Sequence, residues 1–441
     1  MIKGALADHP LRYALTNELH ARPFVELDAP GRVLFLAIKQ PKGAAERDPA
    51  ADFAHLTAFI DLHGGAHPSP GASHYLAEFG RFRLKWERHT EFVSYTLYEA
   101  GPAGKLFQAD LTGHLPDDWL AAAPGKVIAA IQVELLRTDG LGAAEALLEQ
   151  KILPELTGES LTSARVLDGN ALATGDFRLH EGGFTRFAII VHGPVGPRRI
   201  GRTAQRLIEI ESYRTLAMLA LPLTRETGRR LNEIERELGE LIAHVARDPG
   251  DTTPPGDAEI LHDLTALSAE IESLSAAAAF RFGAGGAYET IVAQRIGMLR
   301  EERLGGRQLF SEFMVRRFDP AMRTCHATER RLSELATRAS RIAELLRTRV
   351  NVTVEAQNQE LLASMNRRAA LQLRLQETVE GLSVVAISYY AVSLAAYLLA
   401  PFAKAARIDK STLTAAAVIP VVAAVWWIAR RMRQRLGGGA K

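Results

Sequence analysis

GLSVVAISYYAVSLAAYLLAPF, Gly381 to Phe402, is a run of 22 residues without a charge, and STLTAAAVIPVVAAVWWIA, Ser411 to Ala429, is a second of 19. Each is close to the roughly 20 residues that cross ~30 Å of hydrocarbon, so both read as membrane spans. Eight residues, Ala403 to Lys410, separate them. So short a connection makes the pair a hairpin of antiparallel helices whose outer ends share a side. Arg430, Arg431, Arg433, Arg435 and Lys441 follow the second span, and cations close to a span mark the cytoplasmic face. Both termini are therefore expected in the cytoplasm, with the lipid bilayer as a partner. Lys404, Arg407 and Lys410 in the hairpin loop oppose that orientation. Met1 to Leu19 supports it, being polar, broken by Pro10 and without the apolar core of an export signal. The other reading of the two runs, as buried core helices of a soluble protein, stays open on sequence alone.

Upstream of the first span, neither Gly nor Pro occurs from Ala321 to Glu380. Asp319 is expected to cap a helix there, with Pro320 in its first turn, where a missing amide proton is no loss. Leu332, Leu335, Ala339, Ile342, Leu346, Val350, Val354, Leu361 and Met365 recur mostly at three- and four-residue steps, which draws an apolar stripe along one face. Unbroken, such a stalk spans on the order of 90 Å at ~1.5 Å per residue. The β-branched run Val350, Val352, Thr353, Val354 weakens helix locally, so continuity there stays open. The stripe must be covered, by the chain's own helices or by copies of itself in a coiled coil.

The chain has 441 residues, 47% of them hydrophobic, and a formal net charge of +2. That is room for two or three domains, and bulk charge gives no sign of a nucleic-acid partner. The lone Cys325 excludes an internal disulfide and a multi-cysteine zinc site, which suits a reducing compartment.

From Val33 to Val191 the pattern mixes strands and helices. Val33 to Ile38 reads as a strand, Ala50 to Leu62 as a helix, and Arg81 to Glu99 as a hairpin parted by His89, Thr90 and Glu91. Lys126 to Leu136, Ser163 to Asp168, Ala171 to His180 and Phe184 to Val191 supply further strand pattern, with turns at Asp168–Gly169–Asn170 and Glu181–Gly182–Gly183. The expected fold is α+β (or α/β). Arg198 to Val245 is a helical pattern interrupted at Pro222, and Asp248 to Asp257 an exposed loop. Ala258 to Phe280 is helical, Gly283 to Ala287 flexible, and a further helix reaches about Arg303. The expected domains are an α/β cytoplasmic domain 1–197, a helical domain 198–310, a stalk 311–380, the hairpin 381–430 and a basic tail 431–441.

Three stretches carry a resemblance. NELHARPF (Asn17 to Phe24), QNQELLASMNRR (Gln357 to Arg368) and QLRLQETVEGLSVVAISYY (Gln372 to Tyr390) together resemble a bacterial family of membrane-anchored proteins with a domain of unknown function. The resemblance covers nearly the whole chain and implies a bacterial inner-membrane location. It transfers no catalytic residue. The order of domains is also similar to that of CorA-type magnesium transporters, which would imply a divalent cation as cargo. That family ends its first span on Gly-Met-Asn, whereas Tyr397 to Phe402 reads YLLAPF here.

Candidate chemistry is sparse. Glu18, His20 and Arg22 alternate, so on an extended strand they would share a face fit for an anion or a proton transfer, or pair structurally. His55, His63, His67 and His74 fall within 20 residues, but the surrounding Gly and Pro favour a solvated loop over a metal site. Gly193 to Gly201 with Arg198, Arg199 and Arg202 resembles a phosphate cradle in composition, without the spacing of a P-loop or a dinucleotide fingerprint. No Ser, Cys or His sits in a nucleophile motif, so no catalytic, cofactor or metal residue is assigned. The spans carry no Asp, Glu, Lys or Arg, which removes the usual ion relay. Ala391 with Ala395 and Ala396 with Ala400 suit helix packing. The favoured expectation is a non-enzymatic, homo-oligomeric scaffold or sensor held at the membrane. The alternative is a CorA-like cation channel in which Asn351, Asn358 and Gln372 line a wet pore.

Overall fold

The computed structural model describes residues 8–18, 24–41, 43, 47–102, 104–107, 111–246, 256–406 and 409–437. The chain divides into two compact units, residues 1–255 with 259–343, and residues 256–258 with 344–441. The boundaries expected near 197 and 310 fall inside the first unit, and those near 380 and 430 inside the second.

The first unit runs α1 (Arg12–Glu18), β1 (Gly31–Lys39), α2 (Pro49–His63), β2 (His74–Phe79), β3 (Phe82–Arg88), β4 (Phe92–Ala100), α3 (Asp117–Ala121), β5 (Lys126–Arg137), α4 (Leu141–Leu147), β6 (Thr162–Val166), β7 (Ala171–Gly175), β8 (Thr185–Val191), α5 (Pro197–Met218), α6 (Ala220–Val245), α7 (Asp257–Leu299), β9 (Glu302–Arg303) and α8 (Phe310–Phe313). The strands form one mixed sheet in the order β2-β3-β4-β1-β5-β8-β7-β6-β9. The β5–β8 pair is parallel and the other pairs are antiparallel. This is the α+β arrangement that the strand pattern announces, and the hairpin of β3 and β4 lies where His89 to Glu91 part the two runs. β2 is an addition: its positions alternate between exposed and half-buried, with Phe79 alone buried.

β1 shows why both faces must be covered. Side chains alternate across a strand, and β1 is apolar in both phases. Val33, Phe35 and Ala37 join a core with Ile200, Ala204 and Leu207 of α5, while Leu34, Leu36 and Ile38 join another with Leu56, Phe59 and Ile60 of α2. α4 and the turn after it close a third cluster over Leu172, Ala188 and Ile190. Trp86, Tyr95 and Phe59 are among the largest fully buried side chains. Burying a large side chain contributes roughly 1.5–3 kcal/mol relative to leaving it exposed.

The helices keep the interruption expected at Pro222 and differ from the sequence pattern at two points. α5 ends at Met218 and α6 begins at Ala220, just ahead of Pro222, whose ring clashes with the carbonyl four residues back, at Met218. α7 runs unbroken through Gly283 to Ala287, the stretch expected to be flexible. Gly285 serves close packing there, since a Cβ would sit 3.2 Å from Ala220 Cβ. α7 stops at Leu299, and Glu302–Arg303 pair with β6 as a strand, not as the end of a helix.

The long helix α9 (Asp319–Ala406, 88 residues) is continuous through Val350 to Val354. Asp319 is not its cap. It already has helical dihedrals, because a π-helical turn over Met314–Phe318 joins it to α8. Widening that turn accommodates Pro320, whose ring would crowd the carbonyl of Arg316. Carboxylates begin this helical stretch instead: Glu312 accepts from Leu309 N–H at 3.0 Å, and Glu301 accepts from Phe310 and Ser311 N–H at 2.8 Å each. Up to Ala343 the apolar stripe is covered by the chain's own helices, Leu332, Leu335 and Ala339 packing with Leu231, Ile234 and Leu238 of α6 and Leu264, Leu267 and Ile271 of α7. In the second unit, Leu361 and Met365 are exposed. That unit ends in α10 (Lys410–Gly437).

Residues after the octapeptide cross α5 at Gly201. Leu27 N–H donates to Pro197 O at 3.2 Å, and a Cβ on Gly201 would lie 1.9 Å from Val25 O. Gly201→Ala must push two backbones apart, at an expected cost of about 1–3 kcal/mol. Gly228→Ala, in α6 with nothing within 4 Å of its Cβ, should instead stabilise by roughly 0.5–1 kcal/mol. Thermal unfolding of the two variants in detergent checks the opposite signs.

Candidate functional site

The residues singled out in the sequence do not converge. Glu18 is the last residue of α1, not part of an extended strand, and His20 and Arg22 lie outside the described residues. Asn351, Asn358 and Gln372 are exposed along α9. Among the described residues no group of three His, Cys, Asp or Glu side chains is placed to hold a metal ion.

The four histidines separate: His55 and His63 belong to α2, in or beside the helix expected at Ala50 to Leu62, His74 belongs to β2, and His67 alone keeps the solvated loop expected for the four. His55 is buried in α2, stacked 4.1 Å from the Trp119 ring. Its Nε2 lies 3.0 Å from Trp119 O and its Nδ1 2.8 Å from Tyr95 Oη. A carbonyl only accepts, so Nε2 carries the proton, and Tyr95 O–H donates to Nδ1. His63 ends α2 with Nε2 3.0 Å from His114 O, His67 Nε2 lies 2.6 Å from Asp61 Oδ1 at the surface, and His74 starts β2. Burial lowers the pKa of His55 from its usual 6.5.

A cavity of about 840 Å³ opens at the centre of the sheet. β8 first pairs with β5 at Ile131, opposite Thr185, so Lys126 to Ala130 have β1 on one side alone. The cleft fills the space that β8 leaves. Leu115, Leu120, Leu179 and Phe184 give it apolar walls, and Gln132, Thr185, Glu211 and Arg214 bring polar groups to it. One wall is the segment after β7, fixed by Asp176, which accepts from Thr157 N–H at 2.7 Å and lies 2.7 Å from His180 Nε2. That holds Phe177 against Phe313, 4.4 Å away and stacked.

Arg214 lies 5.7 Å from the Phe177 ring centroid, and its Nε and Nη2 donate to Glu211 at 2.9 and 2.8 Å. Burial by itself would lower the pKa of Arg214, but the charge and hydrogen bonds of Glu211 outweigh it and leave it raised. The pair is a fixed, charged anchor using two of five guanidinium N–H groups. An apolar cavity with a few converging polar groups is the usual form of a small-molecule site. Sequence reading missed these residues because they come from β5, the segment after β7 and α5. The one local signal was Glu211 with Arg214, two charges on an otherwise apolar helix face.

A smaller polar hollow of about 280 Å³ lies between β3, β4 and α5, with Phe24, the last residue of the octapeptide, in its lining. Lys85 Nζ is 3.1 Å from Glu87 Oε1, and Arg295 pairs with Glu209. Ser94 Oγ and His89 Nε2 are 3.4 Å apart, a longer contact than the roughly 2.6–3.2 Å between an activated nucleophile and its base.

The family described as "Protein of unknown function (DUF3422)" matches residues 7–436. The chain belongs to that family. The octapeptide, the sheet, the long helix and α10 up to residue 436 lie within the DUF3422 match, so the resemblance seen in the sequence holds along nearly its full length. No curated protein matches the chain.

His55 sets a pH dependence. Unfolded, it takes a proton near pH 6.5; folded, only at lower pH. Its contribution to stability is therefore complete above about pH 6.5 and is lost as pH falls through that value toward the folded pKa. The unfolding midpoint should drop between pH 7.5 and 5.5, and drop less in His55→Gln. Equal drops in the two proteins would assign the effect to another group.

Proposed function

We propose that this DUF3422 protein is a membrane-anchored, self-associating sensor whose sheet unit binds a small, largely apolar ligand on the cytoplasmic side of a bacterial inner membrane. One observation carries the anchoring: the apolar ends of the chain are left uncovered. The 18-residue apolar windows of α9 and α10 are 6% and 0% buried. Leu382, Val385, Leu394, Leu398 and Ile419 are exposed, a surface that water would penalise and lipid would not. Trp426 and Trp427 lie under Arg430 and Arg431, 5.0 and 4.9 Å from ring centroid to guanidinium, an aromatic and cationic end suited to a lipid interface. The cations at this end support cytoplasmic termini. The exposed Leu361 and Met365 of α9 support self-association, because the same stripe is covered by helices further up the chain. The cleft at β5 and β8 supports ligand sensing over scaffolding alone.

The intact chain should remain in membranes through a high-salt wash and leave them only with detergent. Recovery in the soluble fraction would remove the anchoring. In detergent, light scattering should give at least twice the chain mass of 48.2 kDa, and a monomer would remove the self-association. A reporter fused after Lys441 should be active only in the cytoplasm. Passage of divalent cations through liposomes holding the protein would replace this reading with a channel.

A further inference from the structure

Arg199, Arg202 and Arg206 stand at three- and four-residue steps on α5, so they share one helix face. Arg300, just past α7, meets them across a hollow of about 250 Å³ that also includes Leu167, Asp168, Met298 and Leu299. Four guanidiniums and one carboxylate line this space. Asp168 pairs with Arg199. Arg206 Nη1 donates to Met298 O at 2.9 Å, and Arg202 sits 5.5 Å from the Phe24 ring centroid. Neither contact cancels a charge. Glu209, the next carboxylate along α5, is paired with Arg295. Among the described residues no carboxylate forms an ion pair with Arg202, Arg206 or Arg300. Burial, then the charges of Arg202 and Arg295, hold Arg206 below its usual pKa.

Guanidinium groups stay protonated in proteins, so these charges persist, screened by water where Arg199, Arg202 and Arg300 are exposed, and a bound anion would neutralise them. The groups converge from α5 and from beyond α7, and together offer more N–H donors than the two oxygens of a carboxylate accept. A phosphate ester has three terminal oxygens and a charge near −2, and matches guanidinium forks in geometry. We propose that this hollow binds a phosphomonoester group. The site is separate from the cleft at β5 and β8 and does not depend on the sensing role. It uses Arg199 and Arg202 of the Gly-Arg stretch that opens α5, together with Arg206 and Arg300, which lie outside that stretch.

Calorimetric titration of the full chain in non-ionic detergent tests this with two probes, phenyl phosphate and short-chain phosphatidic acid. Saturable binding of one molecule per chain is expected. Affinity should fall at least tenfold in the Arg206→Gln/Arg300→Gln double variant and at least threefold in Arg300→Gln alone, whose side chain is exposed. It should not change in Arg236→Gln, on the surface of α6 beside Glu240. Binding of phenyl phosphate supports a soluble ligand, and binding of phosphatidic acid alone supports a lipid headgroup. Absence of saturable binding with both probes overturns the proposal, and so does undiminished affinity in Arg300→Gln and the double variant.

Discussion

The sheet of the first unit is apolar on both faces, and the structure follows from the need to keep water from each. β1 and β5, at its centre, cannot be satisfied by helices on one side. α2 and α3 serve one face and α5 the other, and α5 is the more constrained of the two coverings. One side of it must be apolar against β1 and β5, yet Gly201 must stay bare so that the backbone at Val25 can cross it. Charged residues of α5 line two cavities. Glu211 and Arg214 reach the cleft, while Arg199, Arg202 and Arg206 line the basic hollow. The cleft opens where β8 leaves the start of β5 without a partner on that side, and the basic hollow where the first turns of α5 meet the end of α7.

Buried charges tie the helices to the strands. Glu91, in the turn between β3 and β4, pairs with Arg281 of α7, lies 3.5 Å from Lys39 Nζ of β1, and accepts from Tyr288 O–H at 3.0 Å. Removing one member would leave a desolvated charge, so such a network orients elements more than it stabilises them. It brings together residues almost 200 positions apart, and burial pulls the pKa of Lys39 downward despite the adjacent carboxylate.

Legibility of the sequence followed the range of the interactions involved. The hairpin of β3 and β4 and the turn at Asp168 to Asn170 were readable because alternation and turn residues act over a few positions. The stalk was readable for the same reason, since a helix forms its hydrogen bonds within itself. Gly283 to Ala287 misled, because glycine favours a loop locally and only the approach of α6 makes a bare helix surface useful. Asp319 misled in a similar way: its capping chemistry is sound, but Glu301 and Glu312 had already started the helix one turn and more before it. His55 lay in the helix expected at Ala50 to Leu62 yet was grouped with the histidines of a solvated loop, and it is a core residue through Trp119 and Tyr95, neither of which is near it in the chain.

By itself the sequence determined the α+β class, the long helix, the pair of apolar segments and the family, because each rests on local periodicity, on composition or on contiguous motifs. The tertiary structure decided which part of the stalk stripe is covered from within the chain, where the cleft opens, and which of the 53 Lys and Arg residues gather around one hollow. Those outcomes depend on the ends of strands and helices meeting in space. No spacing along the chain records that meeting, since Arg206 and Arg300 are as remote in sequence as they are joined in the fold.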